Sequence, residues 1–405
     1  MTDRVILRSS EIHTDQGVVD GFVVVSDGHI EAVASGDPPG ALEGSLVDVR
    51  PHRLFPGLID IHIHGAGGWS VEVGRADEIR AMARFLAAAG VTAFQPSTAA
   101  LPPDGLERVA VAAREAMDDP PSDGAQILGL HAEGPYLSPE KPGAMNPDFF
   151  RNPSKDEIEH LEAVAPGALR HLTIAPERPG AVELIRWLAA RGEVTVSGGH
   201  TDASYDRAVT GIDAGIRLSN HTYNAMRGLH QRDPGALGAF ALDDRVTCEL
   251  IGDGRHVHPA AMEFLVRVAG ADRVCLVSDA VSPAGLPPGI YDLFGIGRDA
   301  RITEEGFCVF PDGTLAGSAR LLLHGVRTMI EEVGVPAEEA VRMASLRPAT
   351  VAGVERSKGS LAPGKDADLV VISEAWEAVW TMIEGRVVWS PETPAPPTNP
   401  EVVAR

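Results

Sequence analysis

Cysteine is scarce in this chain, and long apolar runs are absent. The three cysteines, Cys248, Cys275 and Cys308, lie far apart and form no Cys-x-x-Cys pair, which argues against a disulfide framework or a zinc knuckle. We therefore expect buried thiols in a reducing cytoplasm. The N-terminus lacks the basic and apolar regions of a signal peptide. No apolar run approaches the roughly 18 residues of a membrane helix, so we expect no membrane partner.

Basic residues are also in short supply. The chain has 35 Lys and Arg against 57 Asp and Glu, which gives a formal net charge of −22. Phosphate backbones need clustered lysine and arginine, so this balance excludes nucleic acid as a general partner. It leaves room for a small anionic substrate that a few local cations hold.

The middle of the chain alternates short β-like runs with Ala-rich amphipathic stretches. Eight such repeats predict an α/β fold, a (β/α)8 barrel. A doubly wound sheet is the alternative, but no Gly-x-Gly-x-x-Gly follows the first β-like run. The predicted strands are residues 58–64, 92–95, 127–133, 169–175, 194–200, 216–221, 246–251 and 274–279.

The two chain ends differ from the middle. Short β-rich segments broken by turns occupy the first fifty residues and return near the C-terminus. We expect the ends to pair into one small β-sandwich domain, formed by residues 1–53 and 347–405. This domain would bracket a catalytic barrel of residues 54–346.

The first predicted barrel strand carries two histidines one residue apart, His62 and His64. Residues i and i+2 of a strand point to the same face, so the two imidazoles project together, away from Ile61 and Ile63. Pro-Gly before the run and a Gly-rich segment after it mark the strand ends. The pair is either half of a metal site or two tolerated histidines, and the other strands must decide.

Several other predicted strands also end in side chains that bind metals. The carboxyl ends of barrel strands converge on the active site, so these side chains should meet there. Four histidines and two carboxylates suit a borderline divalent metal such as zinc, which activates water for hydrolysis of an amide or ester. A carboxylate on the last strand can accept and return the proton. The six candidates are His62, His64, Glu133, His200, His221 and Asp279.

The order and spacing of these motifs resemble the amidohydrolase superfamily. Many of its members bridge two metals with a carbamylated lysine on the fourth strand, but residues 169–175 contain no lysine and Glu133 is available instead. The run His-Ala-Glu-Gly-Pro-Tyr at 131–136 is similar to a signature of N-acetylglucosamine-6-phosphate deacetylases. Further matches to that family, which extend over nearly the whole chain, include segments 197–201, 221–226, 232–235, 253–256, 278–280, 313–318 and 363–369.

The resemblance implies a metal-dependent amidohydrolase that converts N-acetylglucosamine-6-phosphate to glucosamine-6-phosphate and acetate. Glu133, His200 and His221 would hold the metal shared across the family, and His62 and His64 would complete a second position. Asp279 would be the general base and then the general acid. One or two divalent metals per chain are implied, zinc first, with iron, manganese or cobalt as alternatives. The family also implies a homodimer.

The same resemblance implies the residues that bind substrate. Arg232 and His256 would bind the 6-phosphate, since the planar arginine fork matches phosphate oxygens. Which of these two crosses a dimer interface stays open. His131 would lie behind the metal, or else be an ordinary core histidine. Asn224 and Ala225 would add amide and main-chain contacts. The sugar and acetyl pocket would be lined by Ala144, Leu315, Ala316 and Gly317.

One position departs from the family pattern. Met145 stands where the family has a histidine that helps to polarise the acyl carbonyl, and a methionine cannot donate a hydrogen bond. Either a second metal replaces that role, or the chain prefers a related substrate such as N-acetylgalactosamine-6-phosphate. The chain could also be a different amidohydrolase, such as a deaminase or cyclic-amide hydrolase, or a non-catalytic barrel scaffold. All six metal candidates are present, which speaks against the scaffold.

Overall fold

The centre of the protein is a barrel of eight parallel strands, seen in a computed structural model that describes residues 4–293, 298–396 and 398–402. Each of the eight predicted strands has its counterpart, which confirms the (β/α)8 barrel. The observed strands are Leu58–Ile63, Val91–Thr98, Leu130–Glu133, Leu169–Ile174, Thr195–Gly198, Leu218–Ser219, Thr247–Ile251 and Val274–Val277. The first three residues, on which the signal-peptide argument partly rests, lie outside the described ranges.

The barrel closes at the carboxyl ends of its strands. Consecutive strands pair in parallel, and the short strand Gln126–Ile127 also pairs with the second barrel strand. The eighth strand reaches the first through a parallel bridge between Ile63 and Ala280. The Asp279 amide there donates to the His62 carbonyl at 2.9 Å. The closing contact therefore lies among the predicted metal ligands.

Helices cover the outside of the barrel, and most of them bury one apolar face, whereas Gly235–Leu242 is buried along almost its whole length. In the first of them, Ile79, Met82 and Leu86 recur at helical spacing and are buried in the main core. The α-helices are Ala76–Ala88, Pro103–Asp118, Lys155–Val164, Ala181–Arg191, Tyr205–Ala214, Gly235–Leu242, Pro259–Ala269, Leu322–Thr328, Ala337–Met343 and Leu346–Val351. Shorter helical turns are Val71–Val73, Pro147–Phe149, Ala271–Arg273 and Met329–Val333. Within the described ranges, no helix has the length and apolar character needed to cross a membrane.

Both chain ends contribute to one mixed eight-stranded sheet, which confirms a small β domain made from the two ends. Buried residues of both ends, among them Leu7, Val23, Leu369 and Met382, share one core. Along the sheet the strands are Arg386–Trp389, Ala378–Ile383, Leu369–Ile372, Arg53–Pro56, Val5–Thr14, Gly17–Ser26 and His29–Ser35, with Ser45–Asp48 also paired to Val5–Thr14. A bulge between Ser9 and Ile12 bends the long strand Val5–Thr14.

A single glycine forms the N-terminal connection between this domain and the barrel. Gly57 separates the strand Arg53–Pro56 from the first barrel strand. A Cβ at Gly57 would lie only 2.1 Å from the Thr92 hydroxyl oxygen on the neighbouring strand. Only glycine allows that close approach.

A four-stranded antiparallel sheet after the eighth barrel strand was absent from the sequence-based prediction. Its last strand docks against the end of the eighth barrel strand, where the Ser318 amide donates to the Asp279 carbonyl at 2.8 Å. Gly317 has φ +95°, and a Cβ there would lie 2.5 Å from Val281. The inserted sheet thus forms one wall beside Asp279. Its strands are Gly289–Leu293, Arg298–Ile302, Phe307–Val309 and Leu315–Ser318.

The three cysteines are buried free thiols, as expected. Burial raises the pKa of Cys248 to about 11 and that of Cys308 to about 12. Both side chains therefore stay protonated at neutral pH, which makes them poor nucleophiles.

Candidate active site

All six predicted metal residues meet at the carboxyl ends of the barrel strands. Five of them are buried and the Asp279 side chain is 13% exposed. They form two groups, and within each group the ligand atoms lie within 4.8 Å of one another. One group is His62, His64 and Asp279, and the other is Glu133, His200 and His221. His62 and Glu133 belong to strands, whereas the other four follow their strands by one or two residues.

The Glu133 carboxylate lies between the two groups. Its Oε2 is 3.2 Å from His64 Nε2 and 3.5 Å from His62 Nε2. Its Oε1 is 2.8 Å from His221 Nε2 and 3.1 Å from His200 Nε2. Asp279 Oδ1 lies 3.5 Å from the Nε2 atoms of both His62 and His64. One carboxylate therefore faces four imidazoles, and the second faces two of them.

Three of these imidazoles also have an oxygen atom within hydrogen-bond distance of their other ring nitrogen, Nδ1. His62 Nδ1 lies 3.1 Å from Glu249 Oε2, and His64 Nδ1 lies 2.9 Å from Glu72 Oε1. His200 Nδ1 lies 2.9 Å from the Lys141 carbonyl oxygen. Partners of this kind fix the ring orientation and raise the basicity of Nε2 towards a metal.

Sequence reasoning missed both Glu72 and Glu249. Glu249 could have been noticed in the sequence, because it is the single charged residue in the strand Thr247–Ile251. In the structure it is fully buried. Glu72 lies in a short helical turn beyond the first barrel strand, and its sequence neighbours give no comparable signal. Only the folded chain shows its contact with His64.

A network of buried polar side chains leads to Glu133 and positions its carboxylate. The Asn220 amide donates to Glu133 Oε1 at 2.6 Å, and the Thr173 hydroxyl donates to Asn220 Oδ1 at 2.9 Å. His131 contacts the same hydroxyl at 2.8 Å and stacks on His171 with ring centroids 3.6 Å apart. His131 therefore lies behind the converging side chains. That is one of the two interpretations of His131 that the sequence left open.

Charge keeps both carboxylates of the site ionised. Burial raises the pKa of Asp279, but the positive charge of His62 and His64 outweighs it and lowers the pKa to about 2. Burial acts on Glu133 in the same way, and His62, His200 and His221 together hold its pKa well below the usual range. Both groups are therefore anionic at neutral pH.

The donor set fits a divalent cation. His62 Nε2 is buried and has no hydrogen-bond partner among the described residues. His200 Nε2 and His221 Nε2 point at each other across 3.0 Å. Imidazole nitrogens and carboxylate oxygens that converge in this way match the ligands that zinc and related metals prefer.

The backbone is strained at three of the six residues. His200, His221 and Asp279 have φ of 42°, 24° and 47°, a region that residues other than glycine seldom adopt. Each such residue costs about 1–3 kcal/mol and persists only where surrounding structure enforces it. The strain turns the chain sharply after each strand, at the point where the side chain joins the site.

A cavity of about 250 Å³ lies above the two groups. Seven of the eight predicted substrate residues line it, and so does Met145. Sequence reasoning missed Ala99, Val281 and Thr314 in its wall. The seven are Ala144, Asn224, Ala225, His256, Leu315, Ala316 and Gly317. Arg232, the eighth, is exposed on a loop outside this lining.

His256 brings positive charge to the cavity. Its Nδ1 lies 2.7 Å from Asp253 Oδ2, and Asp253 Oδ1 accepts from the backbone amides of Arg255 and His256. Burial lowers the pKa of His256, but the Asp253 carboxylate outweighs it and raises the pKa. The imidazole is therefore easier to protonate than a free one, which suits an anionic group of a ligand.

Removing the charge of Glu72 tests the support of His64. We expect Glu72→Gln to weaken binding of metal at this group by about 10–100-fold, because a neutral amide no longer raises the basicity of the imidazole. Competition with a chromophoric chelator measures the affinity. Glu263→Gln, at an exposed helix position paired with Arg267, is the matched control. Equal affinity in the two variants would contradict the proposed support.

Comparisons with known proteins agree with this geometry. The profile of the amidohydrolase family matches residues 53–388. An N-acetylglucosamine-6-phosphate deacetylase of Vibrio furnissii is 37% identical over 94% of both chains. An N-acetylgalactosamine-6-phosphate deacetylase of Escherichia coli O157:H7 is 36% identical over 94% of this chain and 98% of its own.

Solved structures give the same result. An N-acetylglucosamine-6-phosphate deacetylase mutant of Mycobacterium smegmatis, in complex with N-acetylglucosamine-6-phosphate, superposes with a TM-score of 0.88 at 30% identity. The match covers 96% of this chain and 100% of the other. The chain therefore belongs to the N-acetylglucosamine-6-phosphate deacetylase family of the amidohydrolase superfamily.

Proposed function

We propose that this protein hydrolyses the N-acetyl group of N-acetylglucosamine-6-phosphate to give glucosamine-6-phosphate and acetate. The observation that carries the proposal is a single pocket lined by His256 and by five of the six ligand-type side chains, with His62 grouped beside His64 and Asp279. Relatives that bear this name and match nearly the full chain support it.

We infer that the six residues hold two divalent cations, with zinc first and iron, manganese or cobalt as alternatives. Glu133, His200 and His221 would hold one, and His62 and His64 would hold the other, with Glu133 facing both. A cation held there would polarise the acyl carbonyl and lower the pKa of water. Met145 has no hydrogen to donate to the carbonyl, so this polarisation would depend on the second position.

Asp279 is the side chain best situated to move the proton. Both carboxylates line the pocket, but the side chain of Asp279 is 13% exposed, whereas that of Glu133 is 2% exposed, so Asp279 is the more accessible of the two. It is ionised at neutral pH and can accept a proton from the attacking water. It then returns that proton to the amine as the C–N bond breaks.

His256 would bind the 6-phosphate with its cationic imidazole. No lysine or arginine occurs among the described residues that line the pocket. We therefore propose that Arg232 of a partner subunit completes the phosphate site, in a cytoplasmic homodimer. The exposed loop position of Arg232 is consistent with that role.

N-acetylgalactosamine-6-phosphate is a second candidate substrate. The relative from Escherichia coli O157:H7 that bears this substrate in its name is 36% identical, almost as similar as the Vibrio furnissii relative. The two sugars differ only in the configuration at C4, whereas the amide and phosphate contacts proposed here serve both.

Replacing the proposed proton carrier tests the mechanism. We expect Asp279→Asn to lower kcat by about 10²–10⁴-fold, since an amide cannot accept the proton at neutral pH. Steady-state assays measure the rate, and elemental analysis checks that metal is retained. Asp244→Asn, whose side chain is 97% exposed, should keep the full rate. A near-normal rate in the Asp279 variant would remove this residue from the mechanism.

A substrate panel tests the proposed function directly. We expect the highest kcat/KM for N-acetylglucosamine-6-phosphate. Loss of the phosphate should lower kcat/KM by about 10–100-fold or more, the contribution of one or two charge-assisted hydrogen bonds. A preference for N-acetylgalactosamine-6-phosphate would favour the second candidate. Hydrolysis of cyclic amides or deamination instead of deacetylation would overturn both.

A further inference from the structure

A second cavity of about 690 Å³ adjoins the catalytic pocket. The two cavities share Ala99, Ala144 and Met145 as lining residues. Past this shared wall, the second cavity is lined mainly by apolar groups, with Asp104 and Arg108 exposed among them. The apolar lining includes Ala100, Leu101, Pro102, Gly105, Pro147 and Phe149.

The second cavity and His256 lie on opposite sides of the barrel mouth. Its lining residues follow the second and third barrel strands, whereas Asn224 and His256 follow the sixth and seventh. In a closed barrel of eight strands, the second and third lie across the axis from the sixth and seventh. Glu72, the partner of His64, also lines the second cavity. The cavity thus begins beside the metal-ligand groups, on the side away from His256.

The geometry of the proposed substrate shows how one molecule would extend from His256 towards the second cavity. In a 2-amino-2-deoxyhexose 6-phosphate, the acylated nitrogen is on C2 and the phosphate hangs from C5 through C6. C2 and C5 are opposite each other across the pyranose ring. With the phosphate at His256 and the acyl carbon above the two ligand groups, the acyl chain points away from His256. That direction leads towards Met145 and the second cavity.

We propose that the second cavity is an acyl subsite, through which the protein accepts N-acyl groups longer than acetyl, such as N-propionyl and N-butyryl. The inference rests on the proposed deacylase function. Met145, at the boundary, is unbranched and flexible, so it can adapt to chains of different length. The reaction is unchanged: water supplies OH to the acyl carbon and H to the amine as the C–N bond breaks. The products are the longer carboxylic acid and the free amino-sugar phosphate.

A homologous series of N-acyl glucosamine-6-phosphates tests the subsite. The wild-type protein should hydrolyse the N-butyryl compound with kcat/KM within about tenfold of the N-acetyl value. Leu101→Trp fills the cavity and should lower the butyryl-to-acetyl ratio by about tenfold, the contribution of burying two methylene groups. Leu242→Trp adds the same indole at a position that is 60% exposed, and should leave the ratio unchanged. A wild-type ratio below about 1:100 that Leu101→Trp does not alter would overturn the subsite while leaving the deacetylase function intact.

A binding measurement tests the subsite independently of turnover, and it does not depend on whether the Leu101→Trp variant folds. Calorimetry with the metal-loaded Asp279→Asn protein measures the affinity of the N-acetyl and N-butyryl compounds. Tighter binding of the butyryl compound supports the subsite, even if the wild-type protein fails to hydrolyse the acetyl compound and the proposed function falls. Equal or weaker binding of the butyryl compound overturns the subsite whichever way the turnover assay comes out.

Discussion

One carboxylate, that of Glu133, connects the whole site. Its two oxygens face two pairs of imidazoles at 2.8–3.5 Å, so the groups that the barrel brings together become one centre. The arrangement depends on Asn220, which donates to Glu133 Oε1, and on the histidines, whose charge keeps the carboxylate ionised. A buried carboxylate without such partners would be costly. Removal of this side chain would therefore affect both of the proposed metal positions together.

The rest of the fold holds the partners of Glu133 in place. The eighth strand closes on the first through the contact of Asp279 with the His62 carbonyl. The inserted sheet then docks on Asp279 through Ser318 and supplies the Leu315–Gly317 wall. Strained backbone at His200, His221 and Asp279 is tolerated because strands, loops and the insertion all constrain it. The site thus belongs to the closed barrel as a whole, since its six residues come from the ends of five different strands.

Much of the fold and site could be predicted because the signals are local. Alternating β-like and amphipathic segments mark the eight repeats, and a histidine or carboxylate at a strand end marks a ligand. Contacts between distant segments leave no such mark. Glu249 meets His62 from a strand 187 residues away, and Glu72 meets His64 only because the loop after the first strand folds back. The inserted sheet consists of short strands in hairpins, and the second cavity is a space between two loops.

Arg232 shows a further limit of prediction from one chain. The resemblance implies that it binds phosphate, but the residue is exposed outside the pocket that holds His256. A site completed by a second subunit has part of its lining on another molecule, so neither the sequence nor a single chain contains the whole arrangement. The role of Arg232 in phosphate binding stays a prediction.

Met145 makes the second metal position the central question. Without a histidine at that position, the acyl carbonyl has no hydrogen-bond donor from this loop residue, and in the proposed mechanism a cation held by His62 and His64 would supply the polarisation. Titration of metal-free protein with zinc, with deacetylase activity followed at each addition, tests this most directly. Activity should rise until two equivalents per chain are bound. Full activity at one equivalent, with no further gain at two, would contradict the two-metal centre joined by Glu133.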